Sequence, residues 1–175
     1  MNASRILFPL LAALVVVAIP CLAQVPSHAT VTFASGSGAA CNGFPAPGFN
    51  ALSVTEKISE PAPATNGGSG NPPKASQPTF EDIVLTKNVD DCSVPLYTLL
   101  FPHQVVKSVV ISLFAFTTEV MRITVTDAVI TSMSDAESMG AAPSERLTLS
   151  YAKITILDPV TNKSSCWDRT TNSHC

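Results

Sequence analysis

One stretch of the sequence decides the fold: Ser144-Glu145-Arg146-Leu147-Thr148-Leu149-Ser150-Tyr151-Ala152-Lys153-Ile154-Thr155-Ile156. Leu147, Leu149 and Tyr151 take every second position, which is the period of a β-strand with one buried face. Ile154 and Ile156 then fall on the opposite parity. A change of phase inside a strand usually means a bulge or a crossing between two sheets. The stretch therefore predicts β structure in which the chain bulges or changes sheet.

Five further segments carry strand patterns. The segment from Val105 to Thr117 is apolar on both faces, as expected of a central strand. Residues 121–130 alternate apolar with polar side chains, which indicates a strand with one wet face. Shorter strands are predicted at 31–33, 52–58 and 79–87, with Glu56 on the apolar face of the second, and a turn region is predicted at 132–144.

A single short helix is predicted between the third and fourth strands. Asp91 or Ser93 offers a cap, and Pro95 suits the first turn because its missing N–H has no intrahelical partner there. The helix should end near Phe101, before Pro102. Strands and helices do not alternate along the chain, so a parallel sheet is not expected. The predicted fold is mainly β, an antiparallel β-barrel of two sheets with one short flanking α-helix.

The first 23 residues have the three parts of a secretory signal peptide. Arg5 supplies the positive n-region, the run from Ile6 to Ile19 is apolar, and Cys21-Leu22-Ala23 places small residues at a cleavage site. The apolar run is too short to span a bilayer comfortably. A retained N-terminal anchor is the alternative interpretation of this run. We expect a bacterial protein that is secreted or periplasmic and that leaves the membrane after signal cleavage.

One domain is expected after the signal peptide, over residues 24–157. Within it, residues 60–78 contain five prolines and no large apolar side chain, which predicts a long flexible loop. Residues 158–175 are polar and are expected to form a C-terminal tail. Cleavage removes one of ten Lys plus Arg residues, so the mature net charge is 9 − 13 = −4. This balance argues against nucleic acid as a partner.

Four cysteines remain after cleavage: Cys41, Cys92, Cys166 and Cys175. An even number in an exported chain predicts disulfides. Three connectivities exist, of which we favour Cys166 with Cys175 and Cys41 with Cys92. A zinc site is the weaker alternative, because the close Cys-x-x-Cys spacing of such sites is missing.

Three segments resemble the haemolysin-coregulated (Hcp) family of type VI secretion tube proteins. The first, Phe80 to Leu96, is similar to the family's strand ending in Thr-Lys-x-x-Asp and the Ser-Pro-x-Leu helix start that follows. Lys87, Asp90, Ser93 and Leu96 fall on this pattern, whereas Pro95 stands one place late.

The other two segments lie further along the chain. Residues 119–134 resemble the family's strand pair in which a long strand ends in Val-x-Ser. The segment from Ser144 to Ile154 is similar to a Glu-x-Val/Leu-x-Leu-x-Tyr/Phe-x-Lys-Ile strand and is the most specific of the three. Its matching residues include Glu145, Leu149, Tyr151 and Lys153.

The resemblance implies a structural protein that forms hexameric rings, which stack into a tube and carry secreted effectors. Its partners would be other copies of itself, effectors and type VI components. It implies no enzyme, and no catalytic motif, metal site or cofactor site is expected. The signal peptide and the cysteines depart from the family pattern, because tube proteins of this family leave through the type VI machine. The alternative function is therefore a secreted or periplasmic, disulfide-stabilised binding module on the same barrel.

Overall fold

The computed structural model describes residues 28–34, 48–60, 77–137 and 139–175, and it confirms a mainly β, antiparallel fold with one short helix. The helix is α1 (Ser93–Leu100). The strands of the described part are β1 (His28–Phe33), β2 (Gly48–Ala51), β3 (Ser53–Thr55), β4 (Ile58–Ser59), β5 (Thr79–Phe80), β6 (Ile83–Asn88), β7 (Val106–Ala115), β8 (Thr118–Ala136), β9 (Ser144–Ser150), β10 (Lys153–Asp158), β11 (Lys163–Asp168) and β12 (Ser173–His174). Within these ranges, no helix has the length and apolar character needed to cross a membrane.

The strand pairings follow a circuit. The apolar strand β7 lies between β1 and β8, as its two apolar faces predict, and β1 also pairs with β2. On the other side, β6 lies between β3 and β9, and β9 pairs with β8. Only Leu52 separates β2 from β3, and its N–H donates to the carbonyl of Thr86 at 2.7 Å. This circuit is compatible with the expected barrel.

Strand β8 belongs to both sheets. Its first half pairs with β10, and its second half, from Val129 onward, pairs with β9. Asp127, between the halves, has a positive φ of 50°. Opposite this point the chain leaves β9 and enters β10, and the N–H of Ala152 donates to the carbonyl of Thr126 at 3.1 Å. The change of apolar parity after Tyr151 is therefore a crossing between sheets, one of the two outcomes that the sequence allows.

The core is formed by alternate side chains of the strands and by one face of α1. Leu147 and Leu149 of β9 are fully buried, and Ile154 of β10 joins the same cluster although its parity differs. Leu96 and Leu99 bring the helix onto this cluster. The largest fully buried apolar side chains are Phe33, Phe49, Ile83, Leu85, Leu96, Leu99, Ile111, Ile123, Ile130, Leu147 and Leu149.

The strand predicted at 52–58 is wrong in its bounds and in its buried face. The chain instead forms β2, β3 and β4, and the buried side chains are Phe49 and Ala51. Leu52 lies at the junction where the chain stops pairing with β1 and begins to pair with β6. It is exposed because the alternation of buried and exposed side chains changes phase there. Ile58 is also exposed, whereas Glu56 is half-buried.

Two boundaries in the second half of the chain also differ from the prediction. Strand β8 continues through the predicted turn region to Ala136, because backbone pairing with β9 holds a segment whose side chains are mostly polar and exposed. Residues 158–175 are not a tail. They form β11 and β12, which extend the sheet outward from β10, and Trp167 packs against the core cluster.

Three predictions concern residues outside the described ranges. The signal peptide at 1–23, most of the loop at 60–78, and Cys41 with its expected bond to Cys92 all fall there. They stay predictions. Of the cysteines that are described, Cys166 and Cys175 form the expected disulfide, with Cα atoms 5.3 Å apart. Cys92 is also disulfide-bonded.

Gly48 is a position where strand pairing leaves no room for a side chain. A Cβ atom there would lie 2.4 Å from the backbone oxygen of Val31, across the β1–β2 ladder. We expect Gly48→Ala to lower the free energy of unfolding by about 1–3 kcal/mol, because the two strands must separate. Urea unfolding of the folded chain measures the loss.

Gly140 provides the matched control. It has a positive φ of 83°, and a Cβ atom added there would have nothing within 4 Å. Gly140→Asn should change stability by less than about 0.5 kcal/mol, because Asn tolerates this conformation and the site is exposed. Equal losses in the two variants would show that the β1–β2 contact is not as close as described.

Candidate assembly surfaces and the buried ion cluster

Lys87 is the centre of a buried ion cluster that joins β6, β9 and the start of α1. Its side chain is 0% exposed, and its Nζ lies 3.0 Å from Oε2 of Glu145, which is 2% exposed. The same Nζ lies 2.7 Å from Oδ1 of Asp90 and 3.2 Å from Oγ of Ser93. It also donates to the carbonyl of Asn88 at 2.7 Å. A buried ammonium needs such compensation, since an unpaired charge is costly to bury.

Strand register brings the two buried charges together. Lys87 of β6 stands directly opposite Glu145 of β9 in the antiparallel ladder. Their side chains leave the same face of the sheet, where cross-strand neighbours are close enough to pair. The ring of Phe49 on β2 lies 5.5 Å from the Lys87 Nζ and adds a cation–π contact. The Lys87 ammonium therefore links β6 to β9 and β2.

The cluster also fixes the entry to α1. The N–H of Asp90 donates to Oγ of Ser93 at 3.0 Å, and the N–H of Cys92 donates to Oδ1 of Asp90 at 2.9 Å. Cys92 occupies the N-cap position itself, so the predicted cap by Asp91 or Ser93 is wrong. The Asp90 carboxylate thus lies beside the helix N-terminus, where the backbone dipole favours negative charge.

The other residues matched to the family pattern lie outside the cluster. Leu96 and Leu149 are core side chains. Tyr151 is buried beyond the end of β9, and its hydroxyl donates to the carbonyl of Glu81 at 3.2 Å. Lys153 lies on the surface, where its Nζ is 3.5 Å from Oδ2 of Asp168. The structure thus brings together Lys87, Asp90, Ser93 and Glu145, and it places Leu96, Leu149, Tyr151 and Lys153 elsewhere.

Tyr151 forms a second, smaller polar contact at the crossing between sheets. The guanidinium of Arg169 lies 4.6 Å from its ring centroid and donates to its backbone oxygen at 3.1 Å. Arg169 also pairs with Asp82 at 3.5 Å. Burial raises the pKa of Tyr151 to about 12, because the phenolate would lose its hydration. The sequence gives no local sign of this contact, since Asp82 and Arg169 are far apart in the chain.

One group of metal-ligand residue types lies close together in the described part of the chain. It comprises Asp90, Asp91 and Cys92. Asp90 is already engaged by Lys87, and the Cys92 sulfur is disulfide-bonded. The group is therefore explained by the helix start and the ion cluster, and it gives no ground for a metal centre.

Exposed apolar side chains lie on α1 and in the segment that follows it, and we call this set the helix patch. It comprises Val94, Phe101 and Val105, with Tyr97 between the first two. Val94 is 72% exposed and Phe101 is 76% exposed, although both are apolar. The ring of Tyr97 stacks on Phe101 at 5.8 Å, and its hydroxyl bonds Asp135 at 3.0 Å. An eight-residue helix with five large apolar side chains, from Val94 to Leu100, cannot bury all five against one core.

A second exposed apolar set, the hairpin patch, lies at the other end of β7. It comprises Leu52, Phe116 and Met121. Phe116 is 74% exposed at the turn between β7 and β8, and Met121 pairs across that hairpin with Leu113. Val105 precedes the ten residues of β7 and Phe116 follows them, so these two residues lie at opposite ends of the strand, about 35 Å apart along it. Large exposed apolar residues gathered in this way mark interaction sites more often than chance does.

The hairpin of β11 and β12 forms one wall of an apolar groove. The groove has a volume of about 370 Å³ and is lined mainly by Ile58, Phe80, Ile156, Trp167 and His174. Phe80 stacks on Trp167 at 5.7 Å, and His174 meets the Trp167 ring edge-on at 4.7 Å. The sequence analysis did not predict this wall, because β11, the strand that contains Trp167, is mostly polar and lacks an apolar alternation.

A family model matches residues 48–157, which is more than half of the chain. Its description is "Type VI secretion system effector, Hcp". The match contains the complete ion cluster and both apolar patches, but it ends before β11. A search of curated protein sequences finds no match to this chain.

Solved structures of similar fold cover nearly their whole lengths. Hcp1 from Salmonella typhimurium is 15% identical, with a TM-score of 0.67, over 86% of this chain and 100% of that one. A type VI secretion system effector from Yersinia pestis is 17% identical, with a TM-score of 0.61, over 80% and 98%. The secreted protein Hcp3 from Pseudomonas aeruginosa is 16% identical, with a TM-score of 0.60, over 82% and 97%. At these identities the likeness concerns the fold alone.

Removal of the buried ammonium should destabilise the domain strongly. We expect Lys87→Met to lower the free energy of unfolding by about 3–5 kcal/mol, because Glu145 is left buried without its partner. The double variant Lys87→Met/Glu145→Leu should recover most of this loss, since both charges are gone. Chemical unfolding of the single and double variants measures both effects.

Lys57 offers a matched control for this prediction. It pairs with Glu81, but both side chains are more than half exposed. Lys57→Met should therefore cost less than about 1 kcal/mol. Similar costs for the two lysine variants would contradict the role given to the buried cluster.

Tyr151 should also make stability depend on pH in the alkaline range. Its pKa is about 12 in the folded chain and about 10 in the unfolded chain. Below pH 10 the phenol is neutral in both states, so its full contribution to the free energy of unfolding is present. It is lost as the pH rises from 10 to 12, because the unfolded chain releases the phenolic proton first. The difference in free energy of unfolding between the native chain and Tyr151→Phe should therefore decrease between pH 10 and pH 12. A constant difference would contradict the burial of the phenol.

Proposed function

Because the chain belongs to the Hcp family of type VI secretion proteins, we propose that it is a structural protein that assembles with copies of itself into hexameric rings. We propose further that it is exported through its own signal peptide and acts in the periplasm or outside the cell. The rings serve there as carriers of secreted effectors or as components of a type VI tube.

The observation that carries self-assembly is the pair of unlike apolar patches within the family match. The helix patch and the hairpin patch lie at opposite ends of β7 and differ in shape, one on a helix and one at a strand turn. Closed rings are built from head-to-tail contacts between two different surfaces of each subunit. Two exposed apolar surfaces on one subunit are what such a contact needs.

The disulfides support the export part of the proposal. Cys166 and Cys175 form a disulfide, and Cys92 is also disulfide-bonded. Disulfide bonds persist in oxidising compartments and are rare in the cytosol. A chain that crosses the membrane through its signal peptide reaches such a compartment. This route differs from direct delivery through the type VI machine, which starts in the cytoplasm.

A second candidate function is a disulfide-stabilised binding module that keeps the fold without the ring. The apolar groove beside Trp167 favours it, because the β11–β12 hairpin that forms one wall of this groove lies beyond the family match. The two candidates differ in their state of association: the first is a ring at micromolar concentration, and the second is a monomer.

The helix patch should be required for assembly. We expect the mature wild-type chain to elute as a uniform oligomer, and Phe101→Glu to weaken association at least tenfold, because a buried carboxylate at an apolar contact is costly. Size-exclusion chromatography with light scattering measures the mass across a range of concentrations. Thermal unfolding of Phe101→Glu should show a folded subunit, since the side chain is exposed.

Val160 supplies the control substitution. It is 68% exposed and apolar, and it lies in the turn between β10 and β11 near the start of β8, whereas Tyr97 of the helix patch bonds Asp135 at the far end of β8. Val160→Glu should leave the oligomer unchanged. A monomeric wild type, or equal effects of the two glutamate variants, would remove the support for self-assembly through the helix patch and favour the binding module.

The predicted cysteine pairing has its own test. Digestion of the non-reduced mature chain should release one peptide pair joined through Cys41 and Cys92, and another joined through Cys166 and Cys175. The intact mass should lie four hydrogens below that of the reduced chain, because each of two bonds removes two. Free Cys41 in the denatured, non-reduced chain would refute the first pairing.

A further inference from the structure

The outer edge of the sheet is closed by its shortest strand. Strand β11 pairs with β10 at six positions, but β12 pairs with β11 at only two, Trp167 with His174 and Asp168 with Ser173. A third backbone contact runs from the N–H of Cys175 to the carbonyl of Cys166 at 3.3 Å. Both residues of β12 are exposed. So short a strand gains too little from pairing to offset the entropy of holding it in place.

The Cys166–Cys175 disulfide acts on this weak pairing directly. It joins the inner strand to the residue that follows β12, nine positions later in the chain. The turn between the strands has its own support, since the carboxylate of Asp168 accepts bonds from the N–H groups of Thr170 and Thr171 at 2.9 and 3.2 Å. The disulfide therefore holds the strand itself, whereas the turn and β11 are held by other contacts.

The strand that β12 covers has the features of an open edge. The Cys166 carbonyl points toward β12, so the backbone groups of Ser164, two residues earlier, point to the same side. In the described part of the chain no strand pairs with that side of Lys163–Ser165. Loss of β12 would extend this free edge to Asp168. A free edge of six residues is a template for one more strand.

We propose that the Cys166–Cys175 disulfide is a latch, which keeps β12 on the outer edge of the sheet and whose reduction releases β12 and exposes the outward backbone groups of β11. The reductant is a dithiol. Its thiolate attacks one sulfur, the Cys166–Cys175 bond breaks, and the pair takes up two electrons and two protons to give two thiols, while the dithiol becomes a disulfide. The barrel and the ion cluster stay intact, because neither contains these cysteines.

Hydrogen exchange of the full mature chain tests the latch. The variant Cys166→Ser/Cys175→Ser removes this bond alone and leaves the bond of Cys92 in place. Exchange over residues 166–175 should become on the order of 10- to 100-fold faster, since a loop of this length is strongly constrained by its bond. Exchange in β6 and β9 should stay unchanged. Unchanged exchange over residues 166–175 would overturn the latch.

The opened edge is tested by association at rising concentration. The double serine variant should form larger species than the oxidised chain does, and adding Ser164→Pro should suppress them. Proline removes an outward N–H but keeps the pairing with β10, so it acts on the edge alone. Larger species that persist with Ser164→Pro, or none at all, would refute the exposure of the β11 edge.

This test is independent of ring formation. The oligomer of the oxidised wild-type chain depends on the helix patch and should not respond to Ser164→Pro. Association that appears only in the serine variant, and that Phe101→Glu leaves unaffected, belongs to the edge. If Phe101→Glu abolished it instead, the association would belong to the ring contact and the opened edge would be refuted as its cause.

Discussion

The structure depends on one strand that has to serve two sheets. Strand β8 pairs with β7 along much of its length, while its other side pairs first with β10 and then with β9. A twisted sheet cannot follow both partners without a bend, and the bend lies at Asp127, which has a positive φ. The crossing from β9 to β10 lies opposite this bend. The position of each remaining strand follows from these pairings.

The buried ion cluster adds specificity that apolar packing alone would lack. Strand register could slip by two residues and keep the same side chains in the core. Lys87 and Glu145 stand opposite each other only in the observed register, and a slip would leave two buried charges unpaired. The same ammonium engages Asp90 and Ser93 at the start of α1, so the register of two strands and the seat of the helix are set together. Buried charges are used in this way at the cost of some stability.

Local patterns predict some of these features and not others. The alternation of Leu147, Leu149 and Tyr151 predicts the buried strand, and the shifted parity of Ile154 narrows the outcome to a bulge or a crossing. The choice between them depends on β8, which is distant in sequence. The Lys87–Asp90 pair is predictable from a spacing of three residues, but Glu145 lies 58 positions from Lys87 and no local pattern joins them.

The misplaced elements have a common physical cause. Residues 132–136 and 163–168 form strands with little apolar alternation, because backbone pairing to a neighbouring strand holds them and their side chains are mostly wet. Leu52 is apolar yet exposed, because it lies where the chain passes between sheets. The helix patch was open to prediction from sequence: an eight-residue helix containing Val94, Leu96, Tyr97, Leu99 and Leu100 has more apolar side chains than one face can bury.

An exported, ring-forming member of the Hcp family is the central claim, and native mass spectrometry of the chain recovered from the periplasm and medium of its host tests it most directly. We predict a hexamer of subunits that begin near Gln24 and contain no free thiols. A full-length, reduced chain confined to the cytoplasm until type VI secretion is active would contradict export. A processed monomer at every concentration would contradict the ring.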